Sequence, residues 1–309
     1  MDYKELIDPE LRKSANSFPF NSGIVMVGNL YQDFEWGRTK GPEGMEEKEI
    51  VIEGTQNLQV KTTVFSMADE QADMPALVYV HGGAFAYKAA AYQKKLAMIY
   101  AKKAGCKVFF PHYRLAPKYQ YPAAYEDVMS VYRYVAEHAQ ELGVDPSRIG
   151  IAGDSAGASI AALVCNRWEE ENVPMPCLQM LVYPVTDARM ETESMKLYTD
   201  TPNWDSRANE RMWDYYCGKD SEKRDKASPM WCDLPSALPG TYIETAEFDC
   251  LHDEGLAYAG KLKQAGVDVV INETEGTFHG YDAAIDTQIV KQQISKRLSF
   301  LRSGYRERG

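Results

Sequence analysis

The stretch Gly153-Asp154-Ser155-Ala156-Gly157 decides how the rest of the chain is read. Before it runs Arg148-Ile149-Gly150-Ile151-Ala152, short and largely apolar, which predicts a buried strand. After it, Ile160, Leu163, Val164 and Trp168 recur at helical spacing. Strand, sharp turn and helix form the context in which G-x-S-x-G makes a nucleophile elbow. The two glycines leave room for a crowded backbone, and the serine hydroxyl is pushed out at the head of the helix. A phosphate-cradling or merely structural glycine turn is the competing reading. The partners available to the serine decide between them.

A serine hydroxyl needs a base to take its proton and a carboxylate to orient that base. In a strand–elbow–helix architecture the chain order is serine, acid, histidine. Of five histidines, His81, His112 and His138 precede Ser155, leaving His252 and His279. His252 stands at a predicted helix start. His279 lies in Gly276-Thr277-Phe278-His279-Gly280, a glycine-flanked loop after the last predicted strand, and is the expected base. Asp187 and Asp249 both follow strand-like runs; Asp249 lies one strand nearer the histidine loop and is preferred, with Asp187 in reserve. Asp253 and Glu254 are expected to favour the next helix's N-terminus electrostatically. An oxyanion also needs backbone N–H donors. Ala156 follows the nucleophile, and His81-Gly82-Gly83-Ala84 follows the apolar run Ala76-Leu77-Val78-Tyr79-Val80. His81 itself is expected to be structural.

Outward from this centre, strands and helices alternate. Strands are predicted over 48–53, 58–65, 76–80, 107–110, 148–152, 177–183, 241–246 and 267–272. The first two suit an antiparallel pair at a sheet edge. Helices are predicted over 94–104, 127–142, 254–265 and 289–301, besides the one after the elbow. The pattern predicts an α/β fold with a mostly parallel eight-stranded sheet, helices on both faces and a helical cap. Residues 46–309 are expected to form the main domain. Residues 1–45 read as an arm, with short helical turns near Pro9 and then scattered aromatics, either packed on the core or part of a lid. Residues 187–238 contain no clear strand but carry Tyr198, Trp204, Trp213, Tyr215, Tyr216 and Trp231. A connection that long is usually functional, and it is expected to be the main cap, helical around 207–216.

Composition narrows the classes. The 309 residues are 45% hydrophobic, enough for a sizeable core. A net charge of −11 disfavours nucleic acid and anionic membranes as partners. No apolar run is long enough to span a bilayer. The N-terminal residues carry no basic segment followed by an apolar core, so a cytoplasmic location is expected. Six scattered cysteines without a CxxC pair read as free thiols rather than bridges or a metal site. The last strand, if it closes the sheet, leaves an edge that a second copy could cover, giving a homodimer.

Taken together, four stretches resemble the hormone-sensitive-lipase family of α/β-hydrolases. They are His81-Gly82-Gly83-Ala84-Phe85; Tyr113-Arg114-Leu115-Ala116-Pro117 with Tyr121-Pro122-Ala123-Ala124-Tyr125-Glu126-Asp127; Gly153-Asp154-Ser155-Ala156-Gly157; and Glu247-Phe248-Asp249-Cys250-Leu251-His252-Asp253-Glu254-Gly255 with Phe278-His279-Gly280. The resemblance implies Ser155 as nucleophile, Asp249 as acid and His279 as base. It implies an oxyanion hole from Gly82, Gly83, Ala84 and Ala156, with Gly82 shaping the turn. It also implies a carboxylesterase and a cap built from the N-terminal arm and the 187–238 segment; no cofactor or metal is expected. The aromatic residues of that cap suggest a covered pocket and hence small esters of short acyl chains, acetyl to about octanoyl, with acetylated sugars among them because aromatics stack on sugars. An amidase or deacetylase, or a non-catalytic receptor, are the competing functions on this scaffold. The chain departs from the family pattern at Ala84, His112, Lys118 and Cys250.

Overall fold

The computed structural model describes residues 3–55, 58–69 and 72–306. A short helix α1 (Tyr3–Leu6) and a long helix α2 (Ser22–Arg38) precede the sheet. The chain then runs β1 (Met45–Glu53), β2 (Gln59–Met67), β3 (Met74–Val80), α3 (Ala91–Tyr100), β4 (Lys107–Pro111), α4 (Ala123–Glu137), β5 (Val144–Asp154), α5 (Ala156–Asn166) and β6 (Leu178–Val182). Between β6 and the next strand come α6 (Glu193–Leu197), α7 (Ser206–Cys217) and α8 (Ser221–Ala227). β7 (Gly240–Phe248), α9 (His252–Gln264), β8 (Val269–Phe278) and α10 (Gln288–Arg306) complete it. The last turn of α3 loosens into a π segment, Ala101–Gly105.

Among the described residues the eight strands form one sheet in the order β1-β2-β4-β3-β5-β6-β7-β8. β1 pairs antiparallel with β2, and β2 with β4; every later pairing is parallel. The two cores follow from strand alternation. On β3, Ala76, Val78 and Val80 join the core shared with α4, α5 and α9, while Leu77 and Tyr79 join the core shared with α3 and α10. Every residue of α5 is buried, because it lies under both the sheet and its neighbours.

The expected fold class holds, with three local differences. α4 begins at Ala123, before the predicted 127, and ends at Glu137. β8 continues to Phe278, so it delivers the His279 loop directly. The largest difference is α2. Its residues read as an aromatic-dotted arm, yet they form a 17-residue helix capped by the Asn21 side chain, which accepts from the Ile24 N–H. Its apolar residues lie on all sides: Val25 and Trp36 face inward, whereas Met26, Val27, Leu30, Tyr31 and Phe34 are exposed. No single stripe therefore marks it as a helix.

Candidate active site

Four loops converge at the C-terminal ends of the parallel strands, the edge at which open α/β sheets place their sites. The elbow follows β5, the glycine loop follows β3, Asp249 follows β7 and His279 follows β8. Close approach dictates the elbow. A Cβ on Gly157 would run into the Val80 carbonyl, and one on Gly153 into the Gly157 backbone. Ser155 takes φ 54° and ψ −121°, a conformation that costs a residue with a side chain of order 1–3 kcal/mol. Its N–H donates to the Val182 carbonyl at 2.9 Å, which pins the strained turn to β6.

The geometry joins three of the singled-out residues. Ser155 Oγ lies 2.8 Å from His279 Nε2, and His279 Nδ1 lies 2.7 Å from Asp249 Oδ2. Asp249 is wholly buried and its other oxygen accepts the Leu251 N–H at 3.0 Å. Asp187, the reserve acid, is engaged elsewhere: its carboxylate accepts from Trp231 Nε1 and the Arg189 N–H. His252 begins α9 and pairs with Asp253, away from the serine. The His279 ring packs against Tyr183, with centroids 4.6 Å apart, and its carbonyl accepts from Asn203 Nδ2.

The glycine loop faces the elbow. The N–H groups of Gly83, Ala84 and Ala156 have no hydrogen-bond partner among the described residues. The Gly82 N–H instead donates to Asp154 Oδ2 at 3.1 Å, as suits a residue that shapes the turn. Ala84 stands at φ 55°, so its Cβ is accepted in a left-handed conformation at a cost of about 1 kcal/mol. Asp154 ties the two loops together. It is buried and accepts from Tyr79 Oη, Gln93 Nε2 and Gly82 N. Burial, with the nearby Asp282 charge, raises its pKa to about 6, against the pull of those three donors. In the sequence Asp154 occupies the unspecified position of G-x-S-x-G, and nothing there signals its burial.

His81 is structural, as expected. Its ring is stacked between Phe110 and Tyr113, its Nδ1 bonds the Gly82 carbonyl, and burial lowers its pKa to about 3. Glu254 departs from expectation. Rather than merely helping the α9 N-terminus, it is fully buried, and its Oε1 accepts the N–H groups of Thr186 and Asp187. Burial pushes its pKa well above the usual range. None of the six cysteines is in a disulfide, and five of them are buried.

Above the site, the N-terminal residues and the 187–238 segment interlock. Phe20 sits among Tyr87, Trp204 and Tyr215, with centroids 5.2–5.9 Å away. Tyr216 of α7 stacks on Phe85 of the glycine loop at 3.6 Å. Trp204 lies 6.1 Å from the His279 ring. From α2, Asn29 grips the far side of the same loop: its Nδ2 donates to the Ala86 carbonyl and its Oδ1 accepts the Lys88 N–H.

Residues 77–283 match the family described by its alpha/beta hydrolase fold. Among characterised proteins, the chain is 32% identical to Esterase LipI of Mycobacterium tuberculosis, over 91% of this chain and 89% of that one. It is 30% identical to Ethyl acetate hydrolase of Pseudomonas putida, over 79% and 78% of the two chains. Among solved structures, Bacterial Heroin Esterase superposes with a TM-score of 0.90 at 31% identity, covering 97% of this chain and 98% of that one. The chain belongs to the α/β-hydrolase family and, within it, to the hormone-sensitive-lipase group of carboxylic ester hydrolases. It is thus a serine-hydrolase-type enzyme, and no described helix is long and apolar enough to cross a membrane.

Proposed function

We propose that the chain hydrolyses short-acyl esters through Ser155, His279 and Asp249 and an acyl-enzyme intermediate. The continuous chain of bonds from Ser155 Oγ through His279 to Asp249 carries this reading. His279 Nε2 takes the Ser155 proton as Oγ attacks the ester carbonyl. Asp249 holds Nδ1 protonated and stabilises the imidazolium that forms. The N–H groups of Gly83, Ala84 and Ala156 receive the oxyanion, and Gly82 keeps their loop in place through Asp154. His279 then protonates the leaving alcohol. A water, deprotonated by His279, attacks the acyl-enzyme and releases the acid.

The substrate range we propose runs from acetyl to about octanoyl, with acetylated sugars and other small esters as natural candidates. The aromatic cover of Phe20, Trp204, Tyr215 and Tyr216 supports a bounded pocket, with residues 1–45 and 187–238 acting as cap. Replacing Ser155 with Ala should cut turnover of p-nitrophenyl acetate by about 10⁴-fold or more; retained turnover would remove the assignment. A panel of acyl lengths with matched amides defines the range, and amides hydrolysed as fast as esters would move the reading to an amidase. We propose the cytoplasm as its location and a homodimer through β8, the sheet's open edge, as its assembly.

A further inference from the structure

On the side of the sheet covered by α3 and α10, a groove of about 710 Å³ runs between these helices, a size typical of small-molecule sites. Its floor is apolar: Met98 and Ile99 come from α3, Ile294 and Leu298 from α10, and Ile285 from the segment between the His279 loop and α10. Its walls carry six cations: Lys40, Lys95, Lys102, Lys103, Lys291 and Arg302. The single acid among the lining residues is Asp286. This cluster sits on a chain of net charge −11.

Elsewhere on the surface the lysines and arginines are commonly paired, as in Lys61–Glu49, Lys88–Asp33 and Lys226–Glu222. None of the six groove cations forms an ion pair with a described residue. Lys291 Nζ donates to the Asp286 carbonyl and Arg302 to the Lys103 carbonyl, so those two are held by backbone oxygens that leave their charge uncompensated. Six like charges around one concavity repel one another and raise the local concentration of anions. Their alkyl stems extend the apolar floor while the ammonium groups reach solvent. Anionic rim chemistry and apolar floor chemistry are therefore demanded together of one occupant.

We infer that this groove is a binding site for an anionic amphiphile, an alkyl chain laid along Met98, Ile99, Ile294 and Leu298 with its carboxylate or phosphate head among the lysines. A bare phosphate would leave the floor unused, and a neutral alcohol would leave the cations uncompensated. The site is separate from the catalytic centre. It nevertheless touches elements that support that centre: α3 carries Gln93, which bonds Asp154, and Ile285 follows the His279 loop.

Titration calorimetry of the full chain with decanoate, below its micelle concentration, tests the site. Decanoate and decyl phosphate should bind saturably, and decanol and acetate at least ten-fold more weakly. The exposed pair Lys95→Glu/Lys102→Glu should weaken decanoate ten-fold or more. Ser295→Trp, which fills the groove from an exposed lining position, should do the same through bulk rather than charge. Both variants should keep the wild-type melting temperature and esterase activity, so that a loss of binding is not a loss of fold. Binding confined to the catalytic pocket would be insensitive to both variants and would overturn the inference, as would equal affinity for decanol. Co-sedimentation with phosphatidylglycerol vesicles without saturable decanoate binding would also overturn it, in favour of a bilayer surface.

Discussion

At the residue scale, the buried titratable groups around the glycine loop have opposing effects on stability. His81 and His112 have pKa values lowered by burial to about 3 and about 4, from an ordinary 6.5. Below pH 6.5 the unfolded chain therefore takes up protons there that the folded chain refuses, so stability falls as pH falls. Asp154 works the other way. Its folded pKa of about 6 exceeds the ordinary 3.8, so between those values the folded chain holds the extra proton and gains stability as pH falls. From about pH 6 to about pH 4 these groups leave the unfolded chain a net one proton ahead, a loss of about 1.4 kcal/mol per pH unit. Asp154→Asn removes the offset and should steepen the loss to about twice that. Urea unfolding of both proteins across this range reads the difference, and parallel curves would reject the role given to Asp154. For Asp249→Asn, the fold should persist while kcat drops about 10⁴-fold, because the amide no longer selects the required histidine tautomer. Full activity in Asp249→Asn would contradict it.

At the scale of elements, the proposed cap depends on how its helices begin. α7 starts at Ser206 behind Asp205, whose carboxylate accepts the Ala208 N–H at 2.8 Å. Asp205→Ala should cost about 1 kcal/mol of stability, measurable in denaturant, with Asp205→Ser or Asn recovering most of it. A variant as stable as the wild type would mean that Trp213 and Tyr216, buried on the inner face, hold α7 without its cap. Elements also show what the sequence could reveal. The elbow was legible because Gly153 and Gly157 have one steric reason to be there. Asp249 and His279 were legible because strand order leaves few places for an acid and a base. α2 was not, since its outward Met26, Val27, Leu30, Tyr31 and Phe34 break the two-faced pattern that local reading needs. The roles of Glu254 and Asp154 were not legible for a related reason. Their burial comes from loops distant in sequence, Thr186–Asp187 and Tyr79–Gly82, and charge in a sequence reads as surface.

At the scale of the whole molecule, the sheet has two unlike edges. β1 ends it with the charged run Glu46 to Glu49 ahead of the exposed Val51, whereas β8 ends it with Val270, 46% exposed, and carries its exposed charges further along, at Glu273 and Glu275. An apolar outer strand is a site for pairing, and charges along a strand discourage it. The β8 dimer should therefore appear in light scattering at micromolar concentration, and Val270→Lys should return the mass to that of one chain while leaving ester hydrolysis intact. A wild-type mass of one chain would end that proposal. The grip of Asn29 on both Ala86 and Lys88 reaches further than local packing. It makes α2 and the glycine loop one mechanical part. Were α2 to swing away to admit a bulky ester, the proposed oxyanion donors Gly83 and Ala84 would lose their backing in the same movement. Entry by that route and turnover exclude each other in time, like a clutch and a gear. Esters that fit without moving α2 would react at once, and larger ones would wait for the helix to return.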